Sequence, residues 1–204
     1  MPLEIYLAYV LACLLITLVP GPTVTLIVAS SLSHGVRAGL LNVAGTQAGL
    51  GLMMLILMAG LSSVIEMMSW AFDWLRLAGA LYLVWLGWKL LRAPDAQQRP
   101  ERRAPAPRAG FFTQGLLVLL ANPKALLWFG AFIPQFVDPR GAYIAQIALL
   151  GLTAMGVAAV TDGAYAVLAA RAGALASRSR VRVVSKLSGA FLIGGGIWLA
   201  LTRR

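Results

Sequence analysis

This chain of 204 residues is 60% hydrophobic and only 12% charged, whereas a soluble domain is usually about 45–50% apolar and about 25% charged. Its polar residues are too few to cover a globule in water, so the composition indicates a membrane protein, although the formal net charge of +10 alone is also compatible with nucleic-acid binding. The single cysteine excludes an intramolecular disulfide, a cysteine-based zinc site and a membrane thiol oxidoreductase.

The first predicted elements are two long stretches, residues 5–36 and 38–65, which contain no Asp, Glu, Lys or Arg. About 20 apolar residues cross the bilayer core as a helix, so each stretch is long enough to span it. A turn around Ser30–Gly35 is predicted between them. The N-terminal run continues past the length of a signal peptide and lacks a cleavage site, so we expect a retained transmembrane helix.

Four further apolar segments follow, separated by a proline-rich linker and a basic loop. Residues 92–108 hold four prolines and little apolar content, which indicates a solvated linker, and residues 171–182 are predicted as the basic loop. Because lipid forces each span to satisfy its own backbone and no strand alternation is present, all the spans are predicted to be helices. The later spans are predicted at residues 70–91, 111–137, 142–170 and 184–201.

Basic residues are concentrated in the loops after the first, third and fifth spans. Short loops rich in Lys and Arg stay in the cytoplasm, so we predict cytoplasmic basic loops, both termini outside, and a bacterial inner-membrane location. These loops lack interleaved aromatic residues, which argues against a nucleic-acid partner. The basic residues concerned are Arg37, Lys89, Arg92, Arg99, Arg102, Arg103, Arg108, Arg171, Arg178, Arg180, Arg182 and Lys186.

The two halves of the chain resemble each other. Residues 14–22, which end in Pro-Gly-Pro, match residues 116–124, which end in Asn-Pro-Lys, and residues 76–80 match residues 186–190. A unit of three helices crosses the membrane an odd number of times, so its second copy is inverted. Inverted repeats with interrupted helices are typical of transporters. We predict an all-α polytopic membrane protein in which six transmembrane helices form two inverted three-helix repeats. Its single domain covers residues 1–204, with repeats at 1–91 and 111–204 and a cytoplasmic linker at 92–110.

Two prolines interrupt the first span. Pro20 and Pro22 each lack an N–H and collide with the carbonyl four residues before, and Gly21 between them favours an unwound backbone. The freed carbonyls and the new helix N-terminus, followed by the hydroxyl of Thr23, would then face a polar substrate, with the positive dipole end suited to a carboxylate. The alternative is a kink that only shapes helix packing.

Asn122, Pro123 and Lys124 form the matching break in the fourth span. A Lys inside a span is costly unless it is paired or reaches the interface. Lys124 is therefore predicted to bind a substrate carboxylate, together with Asn122, or to balance Asp162 in the fifth span. The alternative is an interfacial Lys on a half-helix that ends early.

Four further polar residues are candidates for the site or for the path that leads to it. Asp162 would recognise an amino group or carry a proton, unless it is a structural ion-pair partner or lies near the cytoplasmic end beside Arg171. Asn42, Thr46 and Gln47 are neutral polar residues of the second span that would line a path. The sequence contains no nucleophile elbow, metalloprotease helix or phosphate-binding loop. We therefore expect that the protein is not an enzyme and has no metal site and no bound cofactor.

Several sequence blocks in order resemble the LysE/RhtB amino-acid exporter family over nearly the whole chain. They are Pro20-Gly21-Pro22 with residues 35–39, Leu77–Leu83 with Leu86–Lys89, Asn122-Pro123-Lys124-Ala125 with residues 132–136, and Ser188–Ala190. The resemblance implies a small inner-membrane carrier that exports amino acids or their derivatives by using the proton gradient, with no cofactor and as a homodimer. One position departs from the family pattern: Thr23 stands where members commonly carry Asn or Asp after Pro-Gly-Pro.

The sequence thus predicts a secondary transporter that exports amino acids or their derivatives across the cytoplasmic membrane. Its predicted partners are the substrate, the lipid bilayer and a second copy of the chain. A passive channel for small polar solutes is the first alternative. An intramembrane enzyme or a scaffold subunit is the second, although no catalytic constellation or partner-binding module is found in the sequence.

Overall fold

The computed structural model describes residues 1–59, 77–92, 107, 109–138, 141–175 and 178–201. Within these ranges the chain forms helices and no strand, which confirms the all-α prediction for the described part. The beginning of the predicted third span and nearly all of the predicted linker lie outside the described residues.

Eight α-helices follow one another in the described residues. The α6 helix continues into one π-helical turn at Trp128–Phe132 and one 3-10 turn at Ile133–Phe136. The α-helices are α1 (Leu3–Leu18), α2 (Pro22–His34), α3 (Val36–Met58), α4 (Leu77–Leu91), α5 (Gly110–Leu120), α6 (Pro123–Leu127), α7 (Tyr143–Leu175) and α8 (Arg178–Leu201).

Two of these helices are long and apolar enough to cross a membrane on their own. They are α3, with 23 residues, and α7, with 33 residues. The α1 and α2 helices together form a third candidate span that is bent by 51° at their junction. The α4 and α5 helices and the apolar part of α8 are shorter.

Both predicted helix breaks are confirmed. The α1 helix ends at Leu18 and α2 begins at Pro22, while α5 ends at Leu120 and α6 begins at Pro123. Each new helix begins with its proline because the first helical position needs no N–H donor and favours the φ angle that the ring imposes. The two halves of the chain therefore each begin with an interrupted helix.

Two predicted connections are wrong in their extent. The basic loop predicted at residues 171–182 is mostly helical, because α7 continues to Leu175 and α8 begins at Arg178. Ala and Arg are strong helix formers, so a helix here extends beyond the apolar residues that hydropathy detects. The turn predicted at Ser30–Gly35 is reduced to Gly35, whose φ of +86° suits glycine, and α2 is helical as far as His34.

The helices pack closely where glycines allow backbone contact. A methyl group at Gly45 of α3 would overlap the carbonyl oxygen of Phe112 in α5, and one at Gly115 of α5 would overlap that of Asn42. Gly87 of α4 faces the backbone of Gly189 in α8 in the same way. Small residues that let helix backbones approach are the usual device of packing in membranes.

The bundle has two distinct ends. At one end, His34 closes α2 beside the ring of Phe111 with centroids 5.0 Å apart, and Gly173 of α7 lies against Leu32. We call this the basic end, because α3 and α8 begin there and α4 and α7 end there with Arg37, Arg178, Lys89, Arg92 and Arg171. At the opposite end, the hydroxyl of Tyr143 donates to the carbonyl of Leu57 at 3.1 Å.

Candidate functional site

The first helix break leaves a helix N-terminus inside the bundle. Pro20 is exposed, whereas Gly21 and Pro22 are buried. Gly21 is the N-cap of α2 in an extended conformation, and no side chain caps this helix. The N-terminal N–H groups of a helix together with its dipole favour an anion. The beginning of α2 is therefore suited to a carboxylate group.

The second break is joined to the first by Asn122. Its side-chain oxygen accepts a hydrogen bond from the backbone N–H of Lys124 at 3.0 Å and so caps α6. Its amide nitrogen donates to the hydroxyl oxygen of Thr23 at 2.7 Å. Asn122 is 2% exposed, so both bonds are made away from solvent. The two breaks, 99 residues apart in the chain, thus meet through one side chain.

Lys124 bonds to the end of α1. Its ammonium group donates to the carbonyls of Ile16 at 3.0 Å and Val19 at 2.8 Å. The hydroxyl of Tyr165 donates to the carbonyl of Leu18 at 3.1 Å. The last carbonyls of a helix lack intrahelical partners and carry its negative dipole end. The second half of the chain therefore supplies the donors, one of them a cation, that the interrupted helix of the first half needs.

Asp162 lies on α7 and faces the same region as Lys124. It is 7% exposed, and in the described part of the chain no group donates a hydrogen bond to its carboxylate. The helix extends for 33 residues, or about 50 Å, and Asp162 lies roughly 20 Å from its C-terminal end. The distance excludes a place at the end of the helix, and Lys124 is the nearby charge of opposite sign.

A cavity of about 80 Å³ connects these groups. It has room for several water molecules, since one needs roughly 10–15 Å³. Its polar side consists of Thr17, Thr23, Asn122, Lys124 and Asp162. The remaining wall is apolar and is formed by Cys13, Ile16, Val24, Leu50, Leu119, Ala125, Trp128, Phe129, Ala154 and Ala158.

The apolar wall was not among the predicted site residues, although the sequence contains a signal for part of it. Trp128 follows Lys124 by four residues, and Ala154 and Ala158 precede Asp162 by eight and four. Residues four apart lie on the same face of a helix. The wall could therefore have been found by following the predicted polar residues along their helices.

The predicted residues separate into two groups in the structure. Gly21, Thr23, Asn122, Lys124 and Asp162 come together: four of them line the cavity, and a methyl group at Gly21 would lie 3.5 Å from the ammonium nitrogen. The other five do not line the cavity: three are prolines at the helix breaks, and two lie on α3. They are Pro20, Pro22, Pro123, Thr46 and Gln47.

The two α3 residues bond away from the cavity. The hydroxyl of Thr46 donates to the carbonyl of Val43 at 2.8 Å. The amide of Gln47, in the orientation that satisfies both its groups, donates to the carbonyl of Met155 and accepts from the N–H of Ala159, both at 3.3 Å. Gln47 therefore joins α3 to α7 beside the cavity, without lining it.

Comparison with known proteins assigns the chain to a family. The family model of the LysE type translocators matches residues 14–203. This chain belongs to the LysE family. Its members are transporters, so the chain is a membrane translocator and not an enzyme.

Individual relatives cover the whole chain or most of it. A homoserine/homoserine lactone efflux protein of Salmonella typhimurium is 32% identical over 204 residues, which is 100% of this chain and 99% of that protein. A leucine efflux protein of Klebsiella pneumoniae is 36% identical over 134 residues, 65% of this chain and 63% of its own length. An uncharacterized membrane protein of Vibrio cholerae is 29% identical over the full length of both chains. No solved structure is significantly similar to this chain.

Proposed function

We propose that this LysE family translocator exports amino acids or their derivatives across the cytoplasmic membrane, driven by the proton gradient. The observation that carries the proposal is the meeting of both helix breaks at one cavity that is lined by Lys124 and Asp162. A site between two inverted repeats with charges of both signs suits a zwitterion. The efflux proteins among its relatives support the direction of transport and the substrate class.

Each group of an amino acid has a counterpart in the cavity. The carboxylate would occupy the uncapped N-terminus of α2. It would also replace the carbonyls of α1 as the hydrogen-bond acceptor of the Lys124 ammonium group, because a charged acceptor makes a stronger hydrogen bond than a neutral one. The α-amino group would bind to Asp162, whose carboxylate accepts no hydrogen bond from the described residues. The substrate side chain would contact Trp128 and Ala158 in the apolar wall. Such a wall favours neutral side chains.

Asp162 is also the group that we propose to couple export to protons. A carboxylate in a site of this kind binds either an ammonium group or a proton, since both neutralise its charge. Exchange of a substrate for a proton at Asp162 would therefore move the two in opposite directions. Among the described cavity residues, Lys124 and Cys13 are the other titratable side chains, and the proposed role of Asp162 requires no further one.

The proposal includes the six-span arrangement. The interrupted helices α1–α2 and α5–α6, the long helices α3 and α7, and the α4 and α8 helices would be the spans, with residues 1–91 and 111–204 as inverted repeats and 92–110 as the cytoplasmic linker between them. Both termini would lie outside, and the basic end would face the cytoplasm. Two copies would form a homodimer, as the family resemblance implies.

Transport by purified protein tests the site assignment. Proteoliposomes loaded with radiolabelled homoserine or leucine are assayed for counterflow with Lys124→Ala and Asp162→Asn. Because a hydrogen bond to a charged group contributes about 1.5–3 kcal/mol, each substitution should lower the counterflow rate by roughly 10- to 150-fold. Single-channel currents without saturable counterflow would instead support a passive channel.

Two substitutions of charged residues outside the cavity serve as matched controls. Lys89 is exposed and lies over the ring of Trp85 at 4.2 Å, and Glu4 is exposed in the first turn of α1. Lys89→Ala and Glu4→Gln should leave counterflow within about two-fold of the original rate. Normal rates in both cavity variants would refute the site, and equal losses in the controls would show a general effect of charge removal.

A further inference from the structure

The helices that line the cavity continue toward the basic end into a tightly packed region. Four residues beyond Thr23 on α2 comes Ile27, and four residues beyond Asp162 on α7 comes Ala166. On α3, Leu50 is followed in the same direction by Thr46 and Asn42. Residues four apart share a helix face. We define the inner seam as the region where these faces meet, formed by Ile27, Ser31, Gly39, Asn42, Val43 and Ala166.

The inner seam is closed in this structure. Ile27 and Ala166 are fully buried and pack with Val43 in one apolar cluster. A methyl group at Gly39 would lie 2.9 Å from the side chain of Ala166 and 3.2 Å from the Cβ atom of Ser31, and it would overlap the Ser31 hydroxyl. Closure of α2 and α7 against α3 therefore depends on the absence of a side chain at Gly39.

Two buried oxygen atoms in the inner seam have no hydrogen-bond partner in the described part of the chain. They are the hydroxyl oxygen of Ser31, a residue that is 1% exposed, and the side-chain oxygen of Asn42, which is 0% exposed. The amide nitrogen of Asn42 donates to the carbonyl of Ala38 at 3.2 Å. A buried polar atom without a partner destabilises the arrangement that buries it and calls for an explanation.

Among the residues that the structure describes, the opposite end of the bundle shows no such deficit. There the hydroxyl of Tyr9 donates to the carbonyl of Leu150 at 2.9 Å, and that of Tyr143 donates to the carbonyl of Leu57. The hydroxyl groups of Tyr6 and Thr153 lie 3.0 Å apart. In the described part of the chain, the buried oxygen atoms without a partner thus lie between the cavity and the basic end.

We propose that the inner seam is the cytoplasmic gate of the transport path, and that Ser31 and Asn42 line this path when the gate is open. The proposal rests on the proposed function, in which the cavity is the transport site. Closure buries Ser31 and Asn42 with unmet capacity, and opening exposes both oxygens to water or to the polar groups of a passing substrate. The unmet capacity raises the free energy of the closed state and so favours opening, as the gate of an alternating-access path requires.

Thiol labelling measures the opening of the inner seam without any amino acid. Ser31→Cys is made alone and together with Gly39→Ala, and a membrane-impermeant maleimide is applied to inside-out vesicles. The labelled cysteine is identified by peptide mass spectrometry, which separates it from Cys13. Because a methyl group at Gly39 does not fit the closed seam, Gly39→Ala should increase the labelling rate of the new thiol about five-fold or more.

Three controls define the result. Gly156→Ala adds a methyl group with no atom within 4 Å and should leave the rate unchanged. Ala29 is buried on another face of α2, so the thiol of Ala29→Cys should stay unreactive toward the maleimide when it is combined with Gly39→Ala. Arg37→Cys is exposed at the basic end and marks the side to which the reagent has access. An unchanged rate at Ser31→Cys, or an equal increase at Ala29→Cys, would overturn the proposal.

A stability measurement covers the case in which Gly39→Ala fails to fold. Ser31→Ala removes one of the unpartnered oxygens from the closed seam, so it should raise the Tm of the purified protein by about 2–4 °C. An unchanged or lower Tm would overturn the proposal. If amino acids are exported but Gly39→Ala does not increase the labelling of Ser31→Cys, the gate is refuted and the proposed function stands. If the labelling increases as expected but no amino acid is exported, the proposed function is refuted and the gate stands.

Discussion

At the scale of single residues, Lys124 shows how a half-buried cation is held in an apolar bundle with no described carboxylate in direct contact. It uses the carbonyls of Ile16 and Val19, which the break after α1 leaves without helical partners. A neutral side chain at this position would leave those carbonyls unsatisfied in a membrane, where that costs several kcal/mol. Lys124 therefore serves the fold while its charge remains available to a stronger acceptor.

Ala158 should set the size of the substrate that the cavity accepts. It lines the apolar wall one helical turn from Asp162. Ala158→Leu would fill much of a cavity of about 80 Å³, so counterflow of leucine should fall about ten-fold or more relative to that of alanine. Competition between the two amino acids in proteoliposomes measures the ratio.

The matched control for this prediction is Ala164→Leu on the same helix. Ala164 is exposed on the outer surface of the bundle and does not line the cavity, so the added volume there leaves the cavity unchanged. The ratio of leucine to alanine counterflow should stay the same in this variant. An unchanged ratio in Ala158→Leu would show that the substrate side chain points elsewhere.

Both helix breaks could be predicted from the sequence because the effect of proline is local: the ring removes a donor and clashes within one turn. The hydrogen bond between Asn122 and Thr23 could not, since it joins residues 99 positions apart and depends on how the two halves meet. The same holds for Tyr165, whose bond to Leu18 has no local signal. Residue types thus indicated which groups the site needs, and tertiary packing determined their partners.

At the scale of helices, α3 and α5 cross in close backbone contact, and each helix contributes one glycine to the crossing. Gly45 faces the backbone of Phe112, and Gly115 faces that of Asn42. Helix ends were harder to predict than the helix breaks. The α8 helix begins at Arg178 rather than in the apolar run, because hydropathy detects the bilayer and not the end of the hydrogen-bonded backbone.

Gly115→Ala should destabilise the protein. Its methyl group would overlap the carbonyl oxygen of Asn42, and backbone cannot move aside as a flexible side chain does. Overpacking of this kind costs about 1–3 kcal/mol, which is a fall in Tm of roughly 2–10 °C for a chain of this size. Gly194→Ala, where an added methyl group has no neighbour within 4 Å, should not lower the Tm. Equal Tm values for the two variants in detergent would contradict the close crossing.

At the scale of the whole molecule, the charge distribution predicts the orientation. The described basic residues other than Lys124 lie toward the basic end, where α2 ends and α3 begins, while Glu4 lies in the first turn of α1. We expect Arg37→Cys to react with an impermeant thiol reagent in inside-out vesicles and not in intact spheroplasts. A cysteine introduced at Glu4 should show the reverse. Reaction of both from the same side would refute the assignment of the basic end to the cytoplasm.

The attachment of α1 has a consequence for biosynthesis. The hydrogen-bond partners of this helix are synthesised late. Tyr6 bonds to Thr153 and Leu18 to Tyr165, in each case 147 positions further along the chain. Lys124, which bonds to Val19, follows it by 105 positions. A ribosome releases the first helix long before these partners exist. During synthesis only the apolar surface of α1 keeps it in the membrane. The docking of α1 against α6 and α7 is therefore one of the last steps of assembly.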